Sequence, residues 1–229
     1  MPAVADERVV EGYTVGVFQS NTYILAARKG AGAVVIDPGQ EAAPLIGERF
    51  AALGLKLEAV LLTHGHIDHI WDAAPVADGA GVAAYIHPAD RYMLDDPGMA
   101  LGRMGLDRFD VGIPSDVHDL ADNDDLNFGG VHLTVRHTPG HTPGHCVFIT
   151  DGILFSGDLI FRGSIGRSDF PGGSFEELMD SIRRVVLPKD DDVVILSGHG
   201  PETTVGVERR TNPFVLADER GDLPRLTGI

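Results

Sequence analysis

The chain of 229 residues contains one cysteine, Cys146, so no disulfide can form within it. The lone thiol favours a reducing setting, and a cytoplasmic location is expected. Cations are scarce too: 18 Lys and Arg stand against 34 Asp and Glu, a net charge of −16. A surface of that sign repels phosphate backbones, which argues against general nucleic-acid binding. The acidic runs 119–125 and 190–192 read as solvated turns, because like charges at that density repel and prefer water. No apolar run approaches the roughly 20 residues needed to span a bilayer. The opening Met1-Pro2-Ala3-Val4-Ala5-Asp6-Glu7-Arg8 lacks a basic stretch followed by an apolar one, so neither a secretory signal nor membrane association is expected. No linker, low-complexity segment or obvious repeat interrupts the chain, and residues 1–229 are expected to form one domain.

Against these shortages, 43% of the residues are hydrophobic and 29 are glycine. Many of the glycines close apolar runs, which predicts tight turns. Residues 9–18, 21–27 and 33–36 read as three short strands with an antiparallel start. From Glu41 the period changes: Ala43, Leu45, Ile46, Phe50 and Leu53 share one helical face, with Gly54 as the residue past its end. Residues 57–62 form the next strand, 70–77 a helix, 82–86 a strand and 89–94 a short helix. Residues 95–117 are irregular and read as a lid or pocket wall. A second series follows: a strand at 131–137, a hairpin of 146–149 with 152–155, and a helix opened by the capping box Ser174-Phe175-Glu176-Glu177. A last strand spans 193–196, a helix or turn 203–210, and a loosely ordered tail starts at Thr211. Two mixed sheets packed face to face with helices outside is the simplest assembly.

Chemistry is concentrated at strand ends. The run to Leu62 leads into Thr63-His64-Gly65-His66-Ile67-Asp68-His69, the run to Val135 leads to His141, Phe155 leads to Asp158, and Leu196 leads to His199. Each is bracketed by Gly or Pro. If the strands lie side by side, these ends share one edge of the sandwich. The five histidines and two aspartates are zinc-type donors that need no thiolate. Three histidines can hold one ion, two histidines with a carboxylate a second, and the remaining carboxylate can bridge. Two such ions polarise a carbonyl and make hydroxide available at neutral pH. Among the other titratable groups, His145 reads as a supporting or structural residue, as does Asp37 at its strand end. His87, His118 and His132 read as ordinary surface or strand histidines, and Cys146 as a small buried residue.

The segment 63–69 resembles the THxHxDH signature of the metallo-β-lactamase superfamily. Thr138-Pro139-Gly140-His141-Thr142-Pro143-Gly144-His145, Phe155-Ser156-Gly157-Asp158 and Ser197-Gly198-His199-Gly200-Pro201-Glu202 resemble its glyoxalase II (hydroxyacylglutathione hydrolase) branch, as do Asn21-Thr22-Tyr23 and Ile36-Asp37-Pro38-Gly39. The resemblance runs from about Val17 to Pro213. It implies an α/β (α+β) fold, the four-layer αββα sandwich of two mixed β-sheets. It implies His64, His66 and His141 on one ion, Asp68, His69 and His199 on the other, and Asp158 bridging, with Asp68 and Asp158 as the catalytic carboxylates. The cofactors implied are two divalent ions, zinc first, iron or manganese otherwise. The reaction implied is thioester hydrolysis by a metal-bridging hydroxide, on a small acyl-thiol, by a monomer or small homo-oligomer. Too few residues follow Pro213 for the helical domain with which full-length glyoxalase II enzymes hold glutathione, so the chain resembles the shorter, single-domain branch. Arg167, Arg162, Tyr13 and Asn21 are the candidate substrate-binding residues, the arginines for a substrate carboxylate. A mononuclear iron persulfide dioxygenase is the alternative, since segments like Gly166-Arg167-Ser168-Asp169-Phe170 also occur there. A nuclease of the same superfamily is disfavoured by the acidic charge, and a non-catalytic module by the full donor set.

Overall fold

In a computed structural model that describes residues 7–98 and 111–222, two six-stranded sheets pack face to face. The first begins with β1 (Val9–Val15), β2 (Ser20–Ala26) and β3 (Gly32–Ile36), paired antiparallel as expected. The helix α1 (Ala42–Leu53) then carries the chain over the sheet, and Gly54 stops it in the left-handed conformation, its amide bonding back into the last turn. That crossover makes the next strand, β4 (Lys56–Leu61), parallel to β3. The helices α2 (Ile67–Ile70) and α3 (Ala73–Ala80) form the second crossover, to β5 (Ala84–Ile86). After a 3₁₀ turn at Pro88–Asp90 and α4 (Tyr92–Asp95), β6 (Val117–Asp119) adds to the sheet edge.

The second sheet takes β7 (Asp125–Phe128), β8 (Val131–His137), β9 (Cys146–Thr150) and β10 (Ile153–Gly157) as an antiparallel meander. A small separate hairpin follows, β11 (Ile160–Phe161) with β12 (Ser164–Ile165). The helix α5 (Phe175–Ser181) then crosses to β13 (Val194–Ser197), which lies parallel to β10, and β14 (Thr203–Thr204) closes the edge. The chain ends in α6 (Val205–Thr211) and α7 (Pro213–Arg220).

Alternation along the strands assigns the layers. In β2, Tyr23 and Leu25 point between the sheets while Ile24 points at α1 and α3. In β9, Cys146 and Phe148 point inward and Val147 outward at α5. Three large apolar clusters result, one under the first helices, one between the sheets, and one under α5, α6 and α7, with a small fourth of Val9, Ala26 and Ala33 beside the end of α1. The order helix, sheet, sheet, helix is the four-layer αββα sandwich. Among the described residues no helix is long and apolar enough to cross a membrane.

Two expectations need correction, one element pair was not expected, and one reading falls outside the described residues. The helix expected at 70–77 is two helices, and the first starts at Ile67, inside the histidine cluster. Its apolar pattern is broken at Trp71-Asp72, where Asp72 turns back to accept from the Ala43 amide. From Thr211 as far as Arg220 the tail expected to be loose is helical: Asn212 caps α7 through the Phe214 amide, Pro213 takes the first helical position, and Val215 is fully buried. The strands β6 and β7 are too short and too polar for period-2 reasoning to detect. Most of the irregular 95–117 stretch, residues 99–110, lies outside the described residues, and with it the reading as a lid or pocket wall.

Phe148 is fully enclosed between the sheets. Phe148→Ala is expected to cost about 3–5 kcal/mol in urea unfolding, the usual toll for a cavity of that size. A loss below ~1 kcal/mol would show that the inter-sheet layer collapses to fill it.

Candidate metal centre

The constellation begins with one carboxylate. Asp37 ends β3 in the left-handed region, φ 50°, where its side chain turns toward the end of β4. Its Oδ1 accepts from the Thr63 amide (2.7 Å) and its Oδ2 from the Thr63 hydroxyl (2.6 Å). The same Oδ2 lies 3.0 Å from His69 Nδ1. Because the Thr63 hydroxyl spends its proton on Asp37, its oxygen accepts from His64 Nδ1, 2.9 Å away. Both imidazoles are thus held as Nδ1–H tautomers with the Nε2 lone pair facing away from Asp37.

The same device recurs at the other two strand ends. His141 Nδ1 donates to the Arg167 carbonyl (2.7 Å), and His199 Nδ1 donates to the Gln19 carbonyl (3.2 Å). Four Nε2 atoms, from His64, His69, His141 and His199, are thereby aimed into one space. His66 contributes through Nδ1, 3.1 Å from His64 Nε2. Asp68, in the first turn of α2, brings Oδ2 to 3.3 Å from His69 Nε2 and 3.0 Å from His199 Nε2. Asp158 stands between the groups: Oδ1 is 3.5 Å from His69 Nε2, while Oδ2 is 3.5 Å from His141 Nε2 and 3.7 Å from His199 Nε2.

Two sets of three donors result, His64–His66–His141 and Asp68–His69–His199, each with its atoms within 4.8 Å of one another. A third combination, Asp37–His64–His69, meets the same distance. Its Asp37 oxygens are already committed to Thr63 and His69, so it serves as an outer support. Among the described residues, three buried side-chain atoms have no hydrogen-bond partner: His69 Nε2, His141 Nε2 and Asp158 Oδ1. Buried polar atoms are nearly always satisfied. Lone pairs left bare on both sets and on the carboxylate between them fit divalent cations held by imidazole and carboxylate.

The electrostatics divide the two sets, and the lone pair on His69 Nε2 is free only when a cation takes the place of its second proton. Burial, reinforced by neighbouring imidazoles, holds His64 and His66 well below the ordinary histidine range; burial also lowers His141. Burial opposes charge on His69 as well, but Asp68, Asp158 and Asp37 outweigh it and hold His69 well above that range. Burial would raise Asp68, yet His69 and His199 carry it well below the carboxylate range. The carboxylates thus draw positive charge into a site whose first three imidazoles are neutral, lone-pair donors.

His145 and His137, the neighbours of His141, are occupied elsewhere. His145 Nε2 accepts from the Asp158 amide (3.1 Å) and its Nδ1 faces the Thr138 hydroxyl (2.8 Å), so it braces the Asp158 loop with no lone pair to spare. His137 Nε2 faces the Pro143 carbonyl, and its ring stacks on His87 at 4.1 Å. His87 is therefore half of an inter-sheet stack and not an ordinary surface residue. His118 and His132 are exposed beside Asp116 and Asp125.

The four candidate substrate residues fare differently. Asn21 does not face the centre: its amide donates to the carbonyls of Ser197 (2.9 Å) and Gly200 (2.8 Å) and accepts from Thr14, which makes it a brace of the His199 loop. Tyr13 packs on the α1 side of the first sheet, and its hydroxyl donates to Glu11, itself paired with Arg49. Arg167 stays near the centre, but its guanidinium forms a two-pronged pair with Asp169 and lies 3.6 Å over the Phe170 ring, which meets His66 edge-on. Arg162 is exposed in the turn between β11 and β12, next to Phe161, whose ring meets His199 at 6.1 Å. Sequence reading missed Asp90, a fully buried carboxylate behind both histidine-bearing loops; in Pro88-Ala89-Asp90 it has the look of an ordinary helix-start residue.

A family model described as the metallo-beta-lactamase superfamily matches residues 15–199. The chain belongs to the metallo-β-lactamase superfamily. It is 38% identical over 209 residues to the hydroxyacylglutathione hydrolase GloC of Haemophilus influenzae, covering 90% of this chain and 97% of that one. Among solved structures, the B3 metallo-β-lactamase BLEG-1 superposes with a TM-score of 0.80 at 34% identity, covering 90% of this chain and 99% of its own. TTHA1623, in a di-iron-bound form, superposes with a TM-score of 0.75 at 37% identity, covering 90% and 100%.

Asp37→Ala strands the Thr63 amide, the Thr63 hydroxyl and His69 Nδ1–H inside the protein. With each orphaned donor costing about 1–3 kcal/mol, the metal-free protein should lose at least ~2 kcal/mol in urea unfolding. An unchanged midpoint would mean that these donors find other acceptors.

Proposed function

We propose that this superfamily member is a dinuclear metallohydrolase that cleaves thioesters of the hydroxyacylglutathione type. The observation that carries the reading is the pair of three-donor sets with Asp158 between them and bare lone pairs on both sides. In this reading His64, His66 and His141 hold one ion, Asp68, His69 and His199 the other, and Asp158 reaches both. Kinship with GloC supports the substrate class. Zinc suits imidazole and carboxylate donors, and the di-iron form of TTHA1623 makes iron the competing choice. Ions held there supply Lewis acidity toward a carbonyl oxygen and a lowered pKa for water.

The protein's own groups do the positioning. His199 and Asp68 are the more exposed donors, at 30% and 16% of the side chain, against 0% and 2% for His69 and His141. The thioester therefore approaches from the His199 side, between Phe161 at His199 and Phe170 at His66. Asp68 and Asp158 are the catalytic carboxylates, placed beside His199 and His141 where the reacting groups would lie. The bond that breaks is acyl carbon to sulfur, and the thiol leaves as thiolate. Arg162 has no partner among the described residues and would meet a carboxylate of the thiol carrier, while Arg167 is already neutralised by Asp169. The acidic surface suits a small molecule over nucleic acid or an anionic membrane. We read the whole chain as one domain acting in the cytoplasm as a monomer or small homo-oligomer.

Metal analysis of the protein as purified, run beside an S-lactoylglutathione hydrolysis assay, tests this reading. Two ions per chain with turnover are expected; a single iron with oxygen consumption on glutathione persulfide would replace it by the dioxygenase. Asp158→Ala should lower turnover by more than the roughly 100-fold that losing an outer hydrogen-bond partner costs. Arg162→Ala should raise KM by about fivefold with kcat little changed, the worth of one exposed ion pair near 1 kcal/mol. An unchanged KM removes Arg162 from substrate binding.

A further inference from the structure

His64 and His66 follow β4 of the first sheet, and His141 follows β8 of the second. These loops come from different sheets and lie far apart in sequence, so something must fix their separation. The Cys146 amide donates to the Thr63 carbonyl (2.7 Å) at the base of the loops. Beyond that point the bonds that join them run through Asp90. Its Oδ2 accepts from the Gly65 amide (3.1 Å), midway between His64 and His66, and from the Thr142 hydroxyl (2.6 Å), beside His141. Its Oδ1 accepts from the Gly144 amide (2.6 Å). Asp90 is itself pinned in a 3₁₀ turn and is fully buried.

The glycines on either side fit this arrangement. A Cβ on Gly144 would stand 2.7 Å from the Asp90 amide nitrogen and from Oδ1, and one on Gly65 would meet Met93 at 2.7 Å and the Asp90 carbonyl at 3.0 Å. Only backbone without side chains lets both amides reach one carboxylate. Asp90 touches no atom of the Asp68–His69–His199 set in the bonds it makes.

We infer that Asp90 is a positioning residue that sets the spacing between the His64–His66 loop and the His141 loop, and so tunes one of the two ion sites selectively. The inference rests on the dinuclear reading above. Asparagine in its place keeps one acceptor but turns an N–H toward either the Gly65 or the Gly144 amide, where two donors oppose each other.

The test is Zn²⁺ titration of Asp90→Asn against a chromophoric chelator, with ¹⁵N-imidazole NMR to say which histidines lose their ion. One dissociation constant should weaken about 10–100-fold, with the His64, His66 and His141 rings reporting it, and the other should move by less than about threefold. In the metal-free protein, amide exchange at Gly65 and Gly144 should quicken by about tenfold while the central strands keep their protection. Thr142→Val, which deletes one donor and keeps the volume, should move the same constant by a smaller factor, and it decides the matter if Asp90→Asn does not fold. Both constants moving together, neither moving, or unchanged exchange at the two glycines would overturn the inference. Wild-type protein that takes up a single ion would instead overturn the dinuclear reading, and amide exchange would then judge the clamp alone.

Discussion

Five imidazoles and three carboxylates are buried at one edge of this sandwich: His64, His66, His69, His141 and His145 with Asp37, Asp90 and Asp158. Removing such groups from water is costly unless each finds a partner. The protein meets that demand from the outside inward. Asp37, Thr63 and the carbonyls of Gln19 and Arg167 take the Nδ1 protons of four histidines. The remaining lone pairs have nowhere to point but inward. The inner atoms that stay unsatisfied are therefore a consequence of how well the outer ones are satisfied, which is why the geometry speaks for a cation and not for a poorly packed core.

The sandwich supplies the place where this can happen. Two parallel pairs, β3 with β4 and β10 with β13, bring the carboxyl ends that carry Asp37, the 64–69 cluster, Asp158 and His199 side by side, and β8, which leads to His141, runs in the same direction as β10 across the antiparallel β9. Where β2 of the first sheet meets the His199 segment, a bridge between Ser20 and His199 joins the sheets directly. The loops leave the strands through residues without side chains. A Cβ on Gly198 would strike the Asp158 carboxylate, and Gly157, at φ 47°, would press on Thr63 and His145. Close approach of backbone to ligand is the physical reason for glycine at these two positions.

The donors were legible in the sequence because each is announced locally, by an apolar run ending at Gly or Pro beside a metal-capable side chain. The sheets were legible for the same reason, from runs such as residues 33–36 and 193–196. What stayed hidden is what depends on contacts across long stretches of chain. Asp90 meets partners 25, 52 and 54 residues away, and nothing near it in sequence marks it. Asn21 looked like a pocket residue until its amide was found bonded to carbonyls 176 and 179 residues downstream. The order of α7 is hidden because chain ends are commonly loose unless tied down, and the tie here is distant: Asn212 joins it to the Ser164 carbonyl and to buried Glu208. Local pattern reports which side chains can do chemistry; it is silent on which polar groups are already spent.

The same accounting bears on the substrate. In a chain of charge −16, arginines are readily consumed by acidic neighbours, Arg167 beside the centre by Asp169 and, away from it, Arg209 and Arg210 by Asp191. On the proposed reading, an anionic thiol carrier would meet little free positive charge beside the donor sets apart from Arg162, which has no partner among the described residues. The hairpin carrying Arg162 is held from behind, by buried Glu208 accepting from the Gly163 amide and by Asn212 donating to the Ser164 carbonyl. Arg162 is exposed to solvent next to Phe161, whose ring meets His199, and is open to an external anion, whereas Arg167, paired with Asp169 and stacked on Phe170, is already committed. On that reading, recognition of the carrier would fall to one short hairpin whose position is set by the C-terminal helices, and substrate choice could vary with that hairpin while the donor sets, held by Asp37 and the strand ends, stay as they are.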